Sequence, residues 1–213
     1  MARSQHVTKA FPSVMATLAH NVLELKGHPF TISSGSFMII RRLDPRTIAQ
    51  SMPSLGTLLL DAVADGHSLG FVNGLDQDQL DAYWQGVAEE VGLGRRVLLA
   101  AEREGVLLGS IQLELCTKPN GHNRAEVQQL LVHCTARRSG IGMALMQALE
   151  IEALSLRRGL LFLDAAVGSG AEQLVQQSGY ERVGELPEYA CTPNGRWHAT
   201  AIYYKTLFTR NRR

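Results

Sequence analysis

The chain has 213 residues, with 21 lysines and arginines against 20 aspartates and glutamates, for a net charge of +1 at neutral pH. That length can bury one sizeable core, and so even a charge balance excludes a strongly basic nucleic-acid binder; Arg210, Arg212 and Arg213 read as a short solvated tail spanning 209–213. No apolar run reaches the length of a membrane span, so no membrane partner is expected.

Residues 1–36 read as an appended segment, with helical spacing over 14–25 and a linker at 27–35 around Pro29. The main domain spans 37–208. Its first strand is predicted at 37–43. Asp44-Pro45 then supplies an N-cap and a first-turn proline for a helix reaching about residue 63, interrupted near Pro53. A loop follows at 66–74. Leu80, Tyr83, Trp84, Val87 and Val91 recur at helical spacing over 76–91, and Gly92 ends that helix. Strands at 96–102 and 106–116, joined by Arg103-Glu104-Gly105, should pair as an antiparallel hairpin. A polar turn at 118–123 precedes a longer strand at 124–133. Past the turn at 137–142, Ile141, Ala144, Leu145, Ala148 and Leu149 form one helical stripe, with Gln147 and Glu150 on the polar face and Gly159 closing the helix. Residues 160–167 are a continuous apolar run broken by Asp164, as in a buried strand. Ser169 caps a helix to about residue 178, and strands at 180–185 and 197–207 finish the domain. The order β-α-α-β-β-β-α-β-α-β-β predicts a single mixed α/β domain, its mostly antiparallel sheet flanked by helices.

Three cysteines, Cys116, Cys134 and Cys191, are odd in number and widely spaced. They predict neither a disulfide framework nor a zinc cluster, and read as buried small residues in a reducing cytoplasm. The seven histidines contain no H-x-x-x-H pair, so no metal is expected.

Arg137-Arg138-Ser139-Gly140-Ile141-Gly142 reads R-x-x-G-x-G between a strand and a helix. The first amides of a helix lack intrahelical acceptors and sit at the positive end of its dipole. Glycines there let backbone approach a ligand, and the natural guest is a phosphate or pyrophosphate. No lysine follows the second glycine, and no second glycine pair with a downstream acidic residue supports a dinucleotide fingerprint.

With this turn between the fourth strand and its helix, the chain resembles the GNAT superfamily of acetyl-CoA-dependent N-acetyltransferases. Lys118-Pro119-Asn120-Gly121, Asn123-Arg124-Ala125-Glu126-Val127, Leu163-Asp164, Gly168-Ser169, Ala171-Glu172, Val183-Gly184-Glu185-Leu186-Pro187 and Thr200-Ala201-Ile202-Tyr203-Tyr204-Lys205-Thr206-Leu207 resemble the tabtoxin-resistance acetyltransferase branch. The resemblance covers 37–207. It implies the acyl-CoA N-acyltransferase fold, whose fourth and fifth strands splay apart around acetyl-CoA. It also implies pantetheine against Leu130, Leu131 and Val132, and pyrophosphate on the amides of Arg138, Ser139, Gly140, Ile141, Gly142 and Met143. Arg137 and Ser169 complete the expected cofactor-binding set.

Acetyl transfer to an amine needs a neutral nucleophile, a stabilised oxyanion and a leaving thiolate. Glu126 is the candidate base, against the alternative of a surface glutamate alternating out of the sheet. Asp164 is the candidate second member of the proton path, against the alternative of a loop-bonding aspartate; if buried, its pKa should rise. The resemblance implies an oxyanion amide near Leu131 or Val132. It also implies a tyrosine four residues after Ala171, where this chain has Val175. Three explanations compete: Tyr180, Tyr189 or His198 substitutes, the thiolate leaves unassisted, or the chain binds acetyl-CoA but catalyses poorly. Acceptor specificity is assigned to the early helices, the loop at 67–73 and the turn at 189–197, with Trp84 and Trp197 as possible walls. The expected activity is acetyl transfer to a small amino-acid-like or toxin-like amine by a cytoplasmic monomer or homodimer; a protein or peptide acetyltransferase and a catalytically weak acetyl-CoA-binding module are the alternatives.

Overall fold

Two aspartates start the first helices. In the computed structural model, which describes residues 37–209 apart from 68 and 72–74, Asp44 accepts a 2.7 Å bond from the Thr47 amide and opens α1 (Pro45–Ala64). Asp76 accepts from the Gln79 amide, and the Gln79 side chain accepts from the Asp76 amide, a reciprocal capping box that opens α2 (Gln77–Gly92). The expected appended segment at 1–36 and the arginines of the tail lie outside the described residues.

The strands are β1 (Met38–Arg42), β2 (Arg96–Arg103), β3 (Val106–Leu115), β4 (Arg124–Val132), β5 (Leu160–Ala166), β6 (Glu181–Cys191) and β7 (Trp197–Thr206). Helix α3 (Ile141–Ser155) joins β4 to β5, and α4 (Gly170–Gln177) joins β5 to β6. They form one sheet in the order β1-β2-β3-β4-β5-β7-β6, antiparallel except for β4 against β5. This is the expected mixed α/β architecture.

Strand alternation sends two apolar sets to opposite faces. Val97, Leu99, Ile111, Leu113, Ala125, Val127, Leu161 and Leu163 bury against α3 through Ile141, Leu145 and Leu149. Leu98, Ala100 and Leu131 bury on the other face with Leu55 and Leu59 of α1 and Trp84 and Val87 of α2.

One irregularity in β4 positions everything that follows. Ser110 pairs with Leu131, but Gln112 pairs with Gln128, so Ile111 faces two residues of β4. The extra residue is a β-bulge, and Gln129 within it has φ +49°. The bulge inverts the alternation: Val127 faces α3, whereas Leu131 faces α1 and α2. On its other side β4 pairs with β5 only at Arg124↔Leu160, Ala125↔Leu161 and Glu126↔Phe162. Beyond those pairs β5 stays with β7 as far as Ala166 and leaves β4. The two strands therefore splay.

Several local expectations are corrected. Pro53 does not interrupt α1. Pro53 and Ala49 are exposed, so the carbonyl that proline leaves without a donor is open to water, and burial of Ile48, Leu55, Leu58 and Leu59 carries the helix through. Gly159 does not close α3, which ends at Ser155; Arg157 takes the left-handed turn after it. Strand β6 runs on to Cys191, well past residue 185. The cysteines are not buried: Cys134 is exposed, and Cys116 and Cys191 are half-buried.

Leu145 is fully buried between α3 and the backbone of β3 near Gly109. Leu145→Ala should lower unfolding free energy by about 3 kcal/mol, read by urea denaturation with an unchanged m-value.

Candidate active site

The chain between β4 and α3 folds tightly. A single 3-10 turn, Cys134–Ala136, is followed by Arg138 at φ +61° and Gly140 at φ +86°, which turn the backbone into α3. No side chain caps this helix end, and its first backbone bond runs from the Ala144 amide to the Gly140 carbonyl at 3.0 Å. The amides of Ile141, Gly142 and Met143 thus have no acceptor within the helix, which makes this end an anion site. Ser139 donates to the Ala136 carbonyl at 2.6 Å, so its side chain holds the turn.

The glycines of the motif serve different ends. Gly140 takes a backbone conformation that other residues adopt at a cost. At Gly142 a Cβ would lie 2.9 Å from Leu174 Cδ2, so this glycine lets α4 lean against the start of α3. Arg137 turns its guanidinium towards α1. Its Nε donates to the Val132 carbonyl at 3.1 Å, one terminal nitrogen contacts Asp61 at 3.2 Å, and the other pairs with Asp65. Asp61 also accepts from the Cys134 amide at 2.8 Å. This arginine braces the turn against α1, and its charge is neutralised by the two aspartates.

Of the β4 residues expected against pantetheine, Leu131 is buried, and Leu130 and Val132 are half-buried against the α3-side core. Their backbone lies where β4 has left β5, so polar groups on that edge have no strand partner. An extended amide-bearing chain can pair there.

Glu126 sits at the last paired position of β4, between buried Ala125 and Val127, so its carboxylate is on the face of α1 and α2. Partial burial pushes its pKa up, and the nearby carboxylates of Glu114 and Asp164 add to the rise; a Gln128 hydrogen bond and Arg96 oppose it. Asp164 points to the same face as Phe162, the residue beside Glu126. It is exposed rather than buried, because Leu161, Leu163 and Ala165 take the α3-side core and leave Asp164 on the opposite face. Protein crowding on one flank still raises its pKa, while His198 counteracts that rise. A carboxylate whose pKa is raised is the stronger base once ionised.

A polar chain beside Glu126 was not singled out in the sequence. Gln112 is fully buried; it donates to Tyr83 Oη at 2.9 Å and accepts from Arg96 at 2.8 Å, and Arg96 pairs with Glu114 at 2.6 Å. Its signal was Gln112 and Glu114 alternating with Ile111 and Leu113. The loop before α2 also reaches over the bulge: Gln129 donates to the Leu69 carbonyl at 2.9 Å, and Phe71 meets the Tyr83 ring edge-on at 5.2 Å.

The remaining candidates divide. Ser169 caps α4 by accepting from the Glu172 amide at 3.0 Å. Val175 is buried in the α3-side core. Tyr180 is buried in that same core, across the sheet from Glu126; burial and then Glu150 push its phenol far above the usual range, and Lys205 lies 5.5 Å from its ring centre. Tyr189 is exposed on β6. His198 lies on the face of Asp164. Its Nδ1 is 3.1 Å from the Ala199 carbonyl, and its buried Nε2 has no hydrogen-bond partner among the described residues. Trp84 is core, and Trp197 is exposed.

Comparison with known proteins agrees with this geometry. Residues 76–184, just over half the chain, match the model of the Acetyltransferase (GNAT) family. The fold is similar to that of a ribosomal-protein-alanine N-acetyltransferase from Brucella melitensis, with a TM-score of 0.68, 24% identity, and coverage of 79% of this chain and 99% of that one. It is similar to a Salmonella typhimurium protein assigned as an acetyltransferase and solved with its cofactor acetyl-CoA (TM-score 0.68, 18% identity, 83% and 97% covered). It is also similar to a protein assigned as a phosphinothricin N-acetyltransferase (TM-score 0.67, 18% identity, 81% and 99% covered). The splayed strands, the uncapped helix after a glycine turn and the family match together make this chain a member of the GNAT family of acetyltransferases, enzymes that use acetyl-CoA.

Proposed function

We propose that residues 37–208 form an N-acetyltransferase domain moving an acetyl group from acetyl-CoA directly to the amine of a small amino-acid-like or toxin-like acceptor, as in the tabtoxin-resistance branch, in the cytoplasm. The observation that carries this reading is the parting of β4 from β5 immediately after Glu126. Pantetheine would bond along Leu130, Leu131 and Val132, and pyrophosphate would meet the amides from Arg138 to Met143. Arg137 and Ser169 would act by holding the turn and α4 in place, since their side chains are engaged within the protein.

The acceptor nitrogen would attack the thioester carbon on the face that carries Glu126 and Asp164. Glu126 takes the ammonium proton, directly or through water, with Asp164 as the second carboxylate of that path, and the second proton that the nitrogen sheds after attack passes to solvent. An amide near Leu131 or Val132 holds the oxyanion. Collapse breaks the carbon–sulfur bond and releases coenzyme A thiolate. With Val175 in the core and Tyr180 across the sheet, the thiolate leaves without a tyrosine donor, as its modest basicity allows. The loop over the bulge and the ring pair Phe71–Tyr83 favour a small acceptor. A protein N-terminus is the second reading, favoured by similarity to the ribosomal-protein-alanine enzyme.

Acetyl-CoA should raise Tm in a thermal-shift assay, by the equivalent of about 2.7 kcal/mol at one hundred times its Kd; no shift at saturating ligand would refute the cofactor assignment. An amine panel assayed by thiol release should give turnover with free amino-acid-like amines, and turnover confined to peptides would favour the second reading.

Glu126→Gln should lower kcat by roughly 10²–10⁴-fold with little change in KM for acetyl-CoA. The same substitution should raise Tm at neutral pH. The folded-state pKa of Glu126 is raised, so its contribution to stability is full below the unfolded value of about 4.3 and is lost as pH rises through the folded value. The Tm gap between variant and wild type should close as pH falls towards about 4.

A further inference from the structure

The β4–α3 turn carries a second constellation, on the side away from α4. Asp61 from the last turns of α1 meets His133 and Cys134 from the start of the 3-10 turn, and one ligand-type atom from each lies within 4.8 Å of the others. Among the described residues no other trio of histidine, cysteine, aspartate and glutamate converges this closely. Cys134 Sγ lies 3.9 Å from His133 Nδ1, and the two ligands of a tetrahedral zinc ion, bound at about 2.3 and 2.0 Å, would stand about 3.5 Å apart. Asp61 is tied to the same turn by its 2.8 Å bond from the Cys134 amide. Closing the trio on an ion needs a small contraction and displaces the contacts His133 Nδ1 makes with Thr135, 2.9 Å from its Oγ1 and 3.3 Å from its donating amide.

The place already attracts positive charge. The Arg137 guanidinium bridges Asp61 and Asp65, and His67 Nε2 lies 3.3 Å from Asp65. A cation entering among Asp61, His133 and Cys134 competes with that guanidinium for Asp61. Thiolate, imidazole and carboxylate together suit a borderline-soft divalent ion and disfavour magnesium or calcium, which prefer all-oxygen sets. The geometry points to a binding site for a zinc-class divalent cation formed by Asp61, His133 and Cys134, bridging α1 to the turn that opens α3. On binding, the Cys134 thiol gives its proton to solvent and its sulfur becomes a ligand, with no change of oxidation state. No local sequence motif marks such a site, because Asp61 lies far from the His133-Cys134 pair in the chain.

Cobalt(II) titration of the chelator-treated full chain tests the site by a readout independent of acetyl transfer. Wild type should develop the near-ultraviolet thiolate-to-cobalt charge-transfer band and the intense visible bands of tetrahedral cobalt, and zinc should displace both. Cys134→Ser should abolish the charge-transfer band. Asp61→Asn and His133→Ala should each raise the half-saturating cobalt concentration at least tenfold, as about 10- to 100-fold losses accompany disruption even of groups that support metal ligands. Arg137→Gln, which removes the competing cation, should lower it severalfold. Circular dichroism verifies the fold of each variant, and Cys134, being exposed, accommodates serine. Absence of a thiolate band in wild type, its persistence in Cys134→Ser through Cys116 or Cys191, or wild-type binding by both Asp61→Asn and His133→Ala would overturn the assignment.

Discussion

The structure depends on one failure of pairing. A parallel pair of strands in an α/β sheet ordinarily stays bonded along its length, because a broken ladder exposes amides and carbonyls that must be satisfied elsewhere. Here the β4–β5 ladder stops at Glu126 and Phe162, and the bulge around Gln129 bends β4 within three residues of that stop. The bend also exchanges which face each side chain meets, so Leu131 seals the α1–α2 core while Val127 seals the α3 core. Both cores are thereby closed around a strand that has given up one edge. That edge is a chain of unpaired polar backbone held by two hydrophobic cores rather than by a neighbouring strand.

The electrostatics around the same point are asymmetric. On the Glu126 face stand Glu114, Glu126 and Asp164, with Arg96 engaged to Glu114 and Gln112. Burial and mutual repulsion keep Glu126 above its ordinary range, a condition a stability-optimised surface would not retain. On the opposite face, the charged pair Lys205–Glu150 is closed, with the ammonium also bonded to the Ser178 carbonyl at 2.7 Å. Burial raises the pKa of Glu150 on that face too, but there Lys205 bonds the carboxylate and opposes the rise.

Periodicity and cap chemistry made the element order, the hairpin and the Asp44 cap legible in the sequence, whereas Asp76, read as the first residue of a helical run, proves to be the cap of α2. The bulge was not legible: residues 124–132 alternate well enough to pass as a regular strand, and the extra residue shows only against β3. Nor was the division of labour among Arg137, Gly140 and Gly142. The motif groups them as a phosphate signature, yet Arg137 answers to Asp61 and Asp65 some seventy residues earlier, and Gly142 answers to Leu174. Asp164 misled for a related reason. Reading an apolar run as buried on both faces hides which of its residues faces the cleft, and Pro53 shows the converse, a residue type that breaks helices placed where solvent absorbs the damage.

Val175 ties the site's chemistry to the packing of the core. Its side chain occupies the α3-side core with Tyr180 and Leu163 as fellow members. A phenol introduced there would not reach a leaving thiolate merely by being written into the sequence; it would first overpack a filled interior, a strain that commonly amounts to about 1–3 kcal/mol. Placing that donor here therefore requires coordinated change in neighbouring core residues, so that the interior's packing decides which side chains the site can receive from this helix.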